Sequence, residues 1–267
     1  MIDMAKQPLV LSVETSSRVG SSALAIGEKL LGETVFSSPL KHSMEVFPAI
    51  SGLLHGFDRK PSDIEQICIS IGPGSFTGLR IATTIAKLMN LANDVKIVTI
   101  STLDVIVANI SDYTNQTHAP AAFNSDSGGI TDLENPRIPE SVNKAAAILD
   151  AKRGQFFIAV YERNGRHAHI GNAWKKILPD SIMSAREFLE RFADRKNPVW
   201  LLGDGLLYYR DRFQSEGTRF FEQSYWSPRA ANVHKLGWEM ARTGRFTEPV
   251  TMTPAYLCRP DIKMKTR

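Results

Sequence analysis

The chain has 267 residues, of which 43% are hydrophobic and 22% are charged, and this composition is typical of a globular protein with one large domain or two closely packed ones. The formal charge of +4 is small, and the basic residues are scattered along the sequence. Composition therefore permits contact with RNA or with an acidic partner but does not argue for either.

Features of a secreted or membrane-spanning chain are missing from the sequence. No stretch approaches the roughly 18 apolar residues that indicate a transmembrane helix, and residues 1–8 lack the apolar core of a signal peptide. The two cysteines, Cys68 and Cys258, stand far apart without a metal-binding spacing. We therefore expect inert thiols and a cytoplasmic location.

The first part of the chain predicts an antiparallel meander. Three apolar runs, at residues 9–13, 21–26 and 30–36, are separated by short polar turns, and strands joined by such turns pair antiparallel. The first turn, residues 14–18, is rich in hydroxyl groups that can accept a phosphate. Serine and threonine also favour turns through local hydrogen bonds, so both interpretations stay open.

The next segment predicts a helix over Ser43–Phe57. Ser43 can cap its start, Pro48 should bend its first turns, and Gly56 is placed to end it. Apolar residues recur at helical spacing and form a broad stripe, which comprises Met44, Val46, Phe47, Ile50, Leu53 and Leu54.

A strand, a glycine-rich loop and a helix follow. The apolar run 67–71 predicts a buried strand, and residues 72–80 read Gly-Pro-Gly-Ser-Phe-Thr-Gly-Leu-Arg. The loop does not match the P-loop, which needs Lys-Ser/Thr after its last glycine, or GxGxxG, because its last glycine comes one residue too late. Ser75 can cap the helix, whose predicted apolar face contains Ile81, Ile85, Leu88 and Ala92.

Two further predictions complete the first half. Residues 96–100 form a strand, and Ser101 or Thr102 caps the helix after it. Because these later strands alternate with helices, they should join the sheet in parallel through crossover connections.

The composition changes near residue 112. Residues 112–143 are rich in Ser, Asp, Asn, Gly and Pro, and a loop of this length is unusual inside a compact domain. We interpret them as a flexible insertion or linker between an N-terminal subdomain, 8–111, and a C-terminal subdomain, 144–267.

The second half repeats the first in outline. Three strands are predicted at 145–150, 155–161 and 168–178, followed by a helix at 184–192 and a strand at 198–203. Gly203-Asp204-Gly205 opens a further helix, and Ala230–Arg242 forms the last long one. Two βββαβα units predict a duplicated α/β fold of the actin/Hsp70-like (ASKHA, ribonuclease H-like) type with two subdomains.

The sequence resembles the bacterial TsaB (YeaZ) family, which is related to the Gcp-like TsaD proteins. The resemblance is close over about residues 8–111 and looser from residue 144. Its most specific motif is the glycine loop with its helix start, 72–81; supporting motifs lie at 12–16, 42–43 with 47–48, 100–103, 149–153, 203–205 and 254–257.

The resemblance implies a function in RNA modification. It predicts a non-catalytic subunit of the complex that makes N6-threonylcarbamoyladenosine on ANN-codon tRNAs, binding TsaD and assembling with the ATPase TsaE. The family also implies that the two helices of the first half pack against equivalent helices of TsaD. Residues assigned to this contact are Met44, Phe47, Gly72, Gly74, Ser75, Phe76, Thr77, Arg80, Ile81, Ile85 and Leu88. Without TsaD, the same surface could support a homodimer.

The resemblance also bears on metal and nucleotide sites. TsaD-like catalytic subunits carry a His-x-x-x-His metal pair, whose positions fall here at Thr102 and Ile106. None of the six histidines forms such a pair, so we predict neither a metal nor catalytic residues. Actin-like folds usually present an Asp to the metal–phosphate complex where this chain has Glu14. We therefore expect no tightly bound cofactor, only weak nucleotide contacts at Thr15 and Ser16 and ATP or ADP at a shared subunit interface.

An enzyme is the alternative to this interpretation. The chain would then be a TsaD-like threonylcarbamoyltransferase, or an ATP-binding enzyme of the actin fold that uses Thr15, Ser16 and Asp150 around Mg-ATP. A protease is not supported, since the sequence has no HExxH motif.

Overall fold

The structure is a computed structural model that describes residues 7–37, 42–110, 142–163 and 174–255. Most of the predicted insertion therefore lies outside the described residues. Within these ranges no helix is long and apolar enough to cross a membrane.

The first sheet has five strands in the order β3-β2-β1-β4-β5. The first three strands form the predicted antiparallel meander, and the last two are parallel to β1, as their alternation with helices predicts. The strands are β1 (Leu9–Glu14), β2 (Ser21–Ile26), β3 (Lys29–Val35), β4 (Ile64–Gly72) and β5 (Lys96–Ser101).

Two helices, α1 (His42–Gly56) and α2 (Phe76–Asn93), cover one face of this sheet. The predicted bounds of α1 are correct to within one residue, and Ser75 caps α2 by accepting a hydrogen bond from the Gly78 amide. The two helices pack beside each other. Their inward side chains enter a core that contains Val46, Leu53, Leu54, Ala82, Ile85 and Ala86.

The second sheet repeats this topology. Its order, β10-β9-β6-β7-β8, again has the first strand of its half at the centre, with two antiparallel strands on one side and two parallel strands on the other. Its elements are β6 (Lys144–Asp150), β7 (Gln155–Arg163), β8 (Trp174–Ser184), α4 (Ala185–Phe192), β9 (Val199–Leu202), α5 (Leu206–Tyr209), β10 (Thr218–Phe220) and α6 (Ala230–Arg242).

One strand lies later than predicted. The third strand of this half was expected at 168–178, but β8 pairs with β7 along Trp174–Ser184, and residues 164–173 lie outside the described ranges. Pro179 lies inside β8, although proline removes a backbone donor. On β8, which is an edge strand, the chain tolerates that loss.

Two helices are exchanged between the halves. Helix α3 (Thr102–Ala108) follows the first sheet in sequence, yet Leu103 and Ile106 belong to the core of the second half. Helix α6 follows the second sheet, yet Val233 packs with Val10 and Val98 of the first. The exchange makes one packed unit of a duplicated actin/Hsp70-like (ASKHA, ribonuclease H-like) fold. The exact subdomain boundaries at 111 and 144 stay a prediction.

Candidate functional site

Corresponding loops lie over the ends of the central strands β1 and β6. In the first half, the start of α2 approaches the turn after β1 so closely that a Cβ at Gly78 would lie 1.7 Å from the Thr15 carbonyl oxygen. In the second half, a Cβ at Gly203 would lie 2.2 Å from the Ile148 carbonyl oxygen. Glycine is required at both places because the backbones touch.

The hydroxyl-rich turn after β1 is buried and internally hydrogen-bonded. Thr15 Oγ1 donates to the Gly78 carbonyl at 2.7 Å, and the Ser16 amide donates to Glu14 Oε1 at 2.6 Å. The Ser75 amide donates to the Ser16 carbonyl at 2.7 Å. These groups hold the glycine loop onto the first strand, so a phosphate would have to displace bonds that are already made.

Two buried carboxyl groups flank this turn. Glu14 accepts hydrogen bonds from the Ser16 amide and from the hydroxyls of Ser16 and Ser70. Asp204, from the second half, accepts bonds from the Ser17 hydroxyl and the Arg18 amide. Burial raises the pKa of Glu14, and the nearby Asp204 raises it further, while the hydrogen bonds from Ser16 and Ser70 act in the opposite direction. Burial likewise raises the pKa of Asp204.

This geometry is a poor fit to Mg-ATP. The hydroxyls that the sequence suggested as phosphate contacts, Thr15 and Ser16, point into the junction, and the Glu14 carboxyl is enclosed. Asp150 is paired instead with Lys152 Nζ at 2.7 Å.

The positions of the TsaD-like metal pair also fit no metal. Ile106 is fully buried in the core of the second half, and Thr102 Oγ1 is buried without a hydrogen-bond partner in the described part of the chain. His42 and His234 contact backbone carbonyls of Ser17 and Glu28. Among the described residues, no group of three His, Cys, Asp or Glu side chains is placed to hold a metal ion. His118, His167 and His169 lie outside those residues.

The outward faces of α1 and α2 carry large apolar side chains. Met44 is 69% exposed and Phe47 61% on α1, while on α2 Phe76 is 41% exposed, Leu88 56% and Leu91 83%. We refer to these five residues as the apolar helix face. Because exposed apolar patches are where soluble proteins commonly bind partners, this face is the candidate contact surface.

The predicted contact residues divide between surface and interior. Thr77 and Arg80 are exposed, and Gly74, Ser75 and Ile81 are half-buried. Gly72 and Ile85 are buried; Ile85 is 6% exposed and packs in the core between α2 and the sheet. A partner could reach Ile85 only if the core opened, so it is not a surface residue in this structure.

Leu91 is a candidate contact that sequence reasoning missed. The predicted apolar face ran through Ile81, Ile85, Leu88 and Ala92, although Ile85 points inward. Leu91 lies three residues after Leu88 and therefore shares its side of the helix. That periodicity could have identified it.

The C-terminal segment 247–255 brings another family-like motif to the glycine loop. The Thr247 amide donates to the Ile97 carbonyl, and the Ala255 amide donates to the Ile71 carbonyl, both at 2.8 Å. Met252 is buried in the first core. The described part of the 254–257 motif thus lies beside Gly72, whereas Tyr256 and Leu257 lie outside the described residues.

Comparisons with known proteins agree with this arrangement. A family model described as "TsaD: tRNA N6-adenosine threonylcarbamoyltransferase" matches residues 36–133, a range that includes α1, α2 and α3. The tRNA threonylcarbamoyladenosine biosynthesis protein TsaB of Bacillus subtilis is 26% identical over 86% of this chain and 87% of its own length. The same protein of Escherichia coli is 21% identical over 93% and 94%.

A solved structure is similar in fold. YeaZ from Pseudomonas aeruginosa superposes with a TM-score of 0.70 at 19% identity, covering 94% of this chain and all of that one. This chain is therefore similar to TsaB (YeaZ) proteins in sequence over nearly its whole length and in fold, and it contains a TsaD-like segment.

Proposed function

We propose that this protein is a non-catalytic subunit of the complex that makes N6-threonylcarbamoyladenosine on ANN-codon tRNAs. It binds TsaD through the apolar helix face and assembles with TsaE. The link to this modification comes from the names of its TsaB relatives. The observation that carries the proposed mode of action is the exposure of five large apolar side chains on α1 and α2.

Hydrophobic burial explains why this face would bind a partner. Covering a large apolar side chain stabilises by roughly 1.5–3 kcal/mol before the costs of association. Five such side chains would therefore supply much of the favourable binding free energy when the partner offers a complementary apolar surface. A second copy of the chain is the alternative occupant when TsaD is absent.

The non-catalytic role is supported by the interior of the molecule. Thr102 and Ile106 replace the metal ligands of TsaD-like enzymes, and the turn at Thr15 and Ser16 is occupied by internal hydrogen bonds. Any nucleotide used by the complex is thus expected at an interface between subunits.

Reconstitution tests this proposal. The chain, TsaD and TsaE would be combined singly and together with tRNA and threonylcarbamoyl-adenylate, and modified adenosine would be measured by mass spectrometry. We expect modification to require TsaD and to increase when this chain is added. Modification by this chain alone would show that it is an enzyme.

A further inference from the structure

Arg80 is the single charged residue at the exposed positions of α2, a helix that is described over its whole length. The other exposed positions carry uncharged side chains: Phe76, Thr77, Thr84, Leu88, Leu91, Ala92 and Asn93. A charge on an apolar helix face is costly to cover, because it loses its water when a partner binds.

The Arg80 side chain is held in place by an aromatic ring. Its guanidinium carbon lies 3.8 Å from the centroid of the Phe76 ring, one helical turn away. Stacking of this kind orients the planar guanidinium and leaves its N–H edges available to a second group. Among the described residues, no carboxylate forms an ion pair with Arg80.

From this geometry we infer that the partner places an Asp or Glu carboxylate against Arg80. A planar, pre-oriented guanidinium binds a carboxylate through two parallel hydrogen bonds, and this pairing removes most of the cost of covering the charge. The inference rests on the proposed function, since it assumes that the apolar helix face is the surface that TsaD covers.

Charge complementarity favours a different protein over a second copy of this chain. The exposed positions of α1 and α2 carry no acidic residue. Glu45 of α1 is half-buried and accepts a hydrogen bond from the Ser37 amide at 2.6 Å. The exposed acidic residues next to these helices are Asp58, which follows α1, and Asp94, which caps the end of α2 about 21 Å along the helix from Arg80.

The test compares side chains at residue 80. Affinity for TsaD of the same organism would be measured by calorimetry at low and high salt for the wild type, Arg80→Lys, Arg80→Met and Arg80→Glu. We expect Arg80→Met to weaken binding about 10-fold or more and to reduce its salt dependence. Arg80→Lys should bind more tightly than Arg80→Met but less tightly than the wild type. Lysine keeps the positive charge but lacks the planar guanidinium that forms two parallel hydrogen bonds to a carboxylate. Arg80→Glu should bind weakest.

The matched control is Arg186→Met, which replaces an exposed arginine on α4. This variant should bind like the wild type.

Leu88→Asp separates this inference from the proposed function. A first outcome is that Leu88→Asp weakens binding while Arg80→Met leaves both affinity and salt dependence unchanged. That result would refute the inferred carboxylate at Arg80 and would leave the apolar helix face as the docking surface. If Leu88→Asp binds normally, the docking face itself is wrong. If Arg80→Glu and Asp94→Asn change only the self-association of the isolated chain, measured by sedimentation, the face belongs to a second copy and the inference is overturned.

Discussion

At Glu14, a carboxyl group is buried among hydroxyl and amide donors at the end of β1. Here Ser16 and Ser70 occupy the carboxyl oxygens, so the side chain ties the first turn to strand β4. Glu14 thereby helps to fix the backbone next to the glycine loop, residues 72–80.

The pKa of Glu14 predicts how stability depends on pH. Burial raises this pKa in the folded protein above its ordinary value of 4.5. A group whose folded pKa is raised contributes stability below its unfolded pKa and loses that contribution as pH rises through the folded pKa. Ionisation of Glu14 should therefore lower the free energy of unfolding as pH increases from about 4.5.

Glu14→Gln should remove this dependence. Glutamine keeps the shape and one acceptor oxygen, so we expect the variant to equal the wild type below pH ~4.5 and to exceed it at pH ~8. Urea unfolding across this range measures the difference, with the exposed Asp63→Asn as control. A variant that is less stable than the wild type at every pH would contradict the argument.

Gly78 gives a second prediction at the residue scale. A Cβ at this position would overlap the Thr15 carbonyl at 1.7 Å, so Gly78→Ala should destabilise by about 1–3 kcal/mol. Gly52→Ala is the matched control, because Gly52 also lies in a helix and has no atom within 4 Å of the new Cβ. The control should be stabilised by about 0.5–1 kcal/mol. Equal effects in urea unfolding would show that the close approach is unimportant.

At the scale of elements, α2 serves two surfaces. Ile85 enters the core above the first sheet, and Leu88, one turn later, faces outward. Positions three residues apart are offset by about 60° around the helix axis, so exposure rises stepwise from Ile85 through Leu88 to Leu91. The same helix therefore packs on the first sheet through one side and carries part of the apolar helix face on the other.

Paired substitutions on α2 should separate these roles. Leu88→Asp should change the free energy of unfolding by about 0.5 kcal/mol or less and weaken TsaD binding about 10-fold or more. Ile85→Asp should lose about 4 kcal/mol or more of stability, because it buries a charge. Circular dichroism and calorimetry with TsaD measure the two effects. Normal TsaD binding by a folded Leu88→Asp chain would refute the docking surface.

At the scale of the whole molecule, the exchanged helices join the two halves. Glu33 on β3 is 1% exposed, pairs with Arg229 and accepts the Ala231 amide at 3.1 Å. This contact attaches the start of α6 to the first sheet. Because α3 enters the other core, we expect the two halves to unfold together in one transition.

Arg229→Met tests the connection. It leaves the Glu33 carboxylate buried without its cation, so the variant should lose about 2 kcal/mol of stability. Adding Glu33→Gln should restore part of that loss, because a neutral amide is less costly to bury. Thermal unfolding followed at several wavelengths reports both stability and cooperativity. Two separate transitions in the wild type would contradict a single unit.

The order of the longer elements, the antiparallel meander, the parallel later strands of the first half and the Ser75 cap could be predicted from sequence, whereas the short strand β10 was missed. These features depend on interactions between residues close in the chain, such as helical periodicity and short turns. The family motifs also identified the glycine loop as the central feature. Strand β8 continues past its predicted end at residue 178, because its pairing with β7 extends to Ser184.

Other features were decided only by the tertiary structure. The inward direction of Ile85, the outward direction of Leu91, the burial of Thr15 and Ser16, and the exchange of α3 and α6 all depend on residues distant in sequence. An apolar residue in a helix is equally compatible with a core and with an interface until the sheet beneath it is known. The amino-acid sequence alone therefore predicted the fold and the resemblance to the TsaB (YeaZ) family, while packing decided which apolar side chains stay exposed.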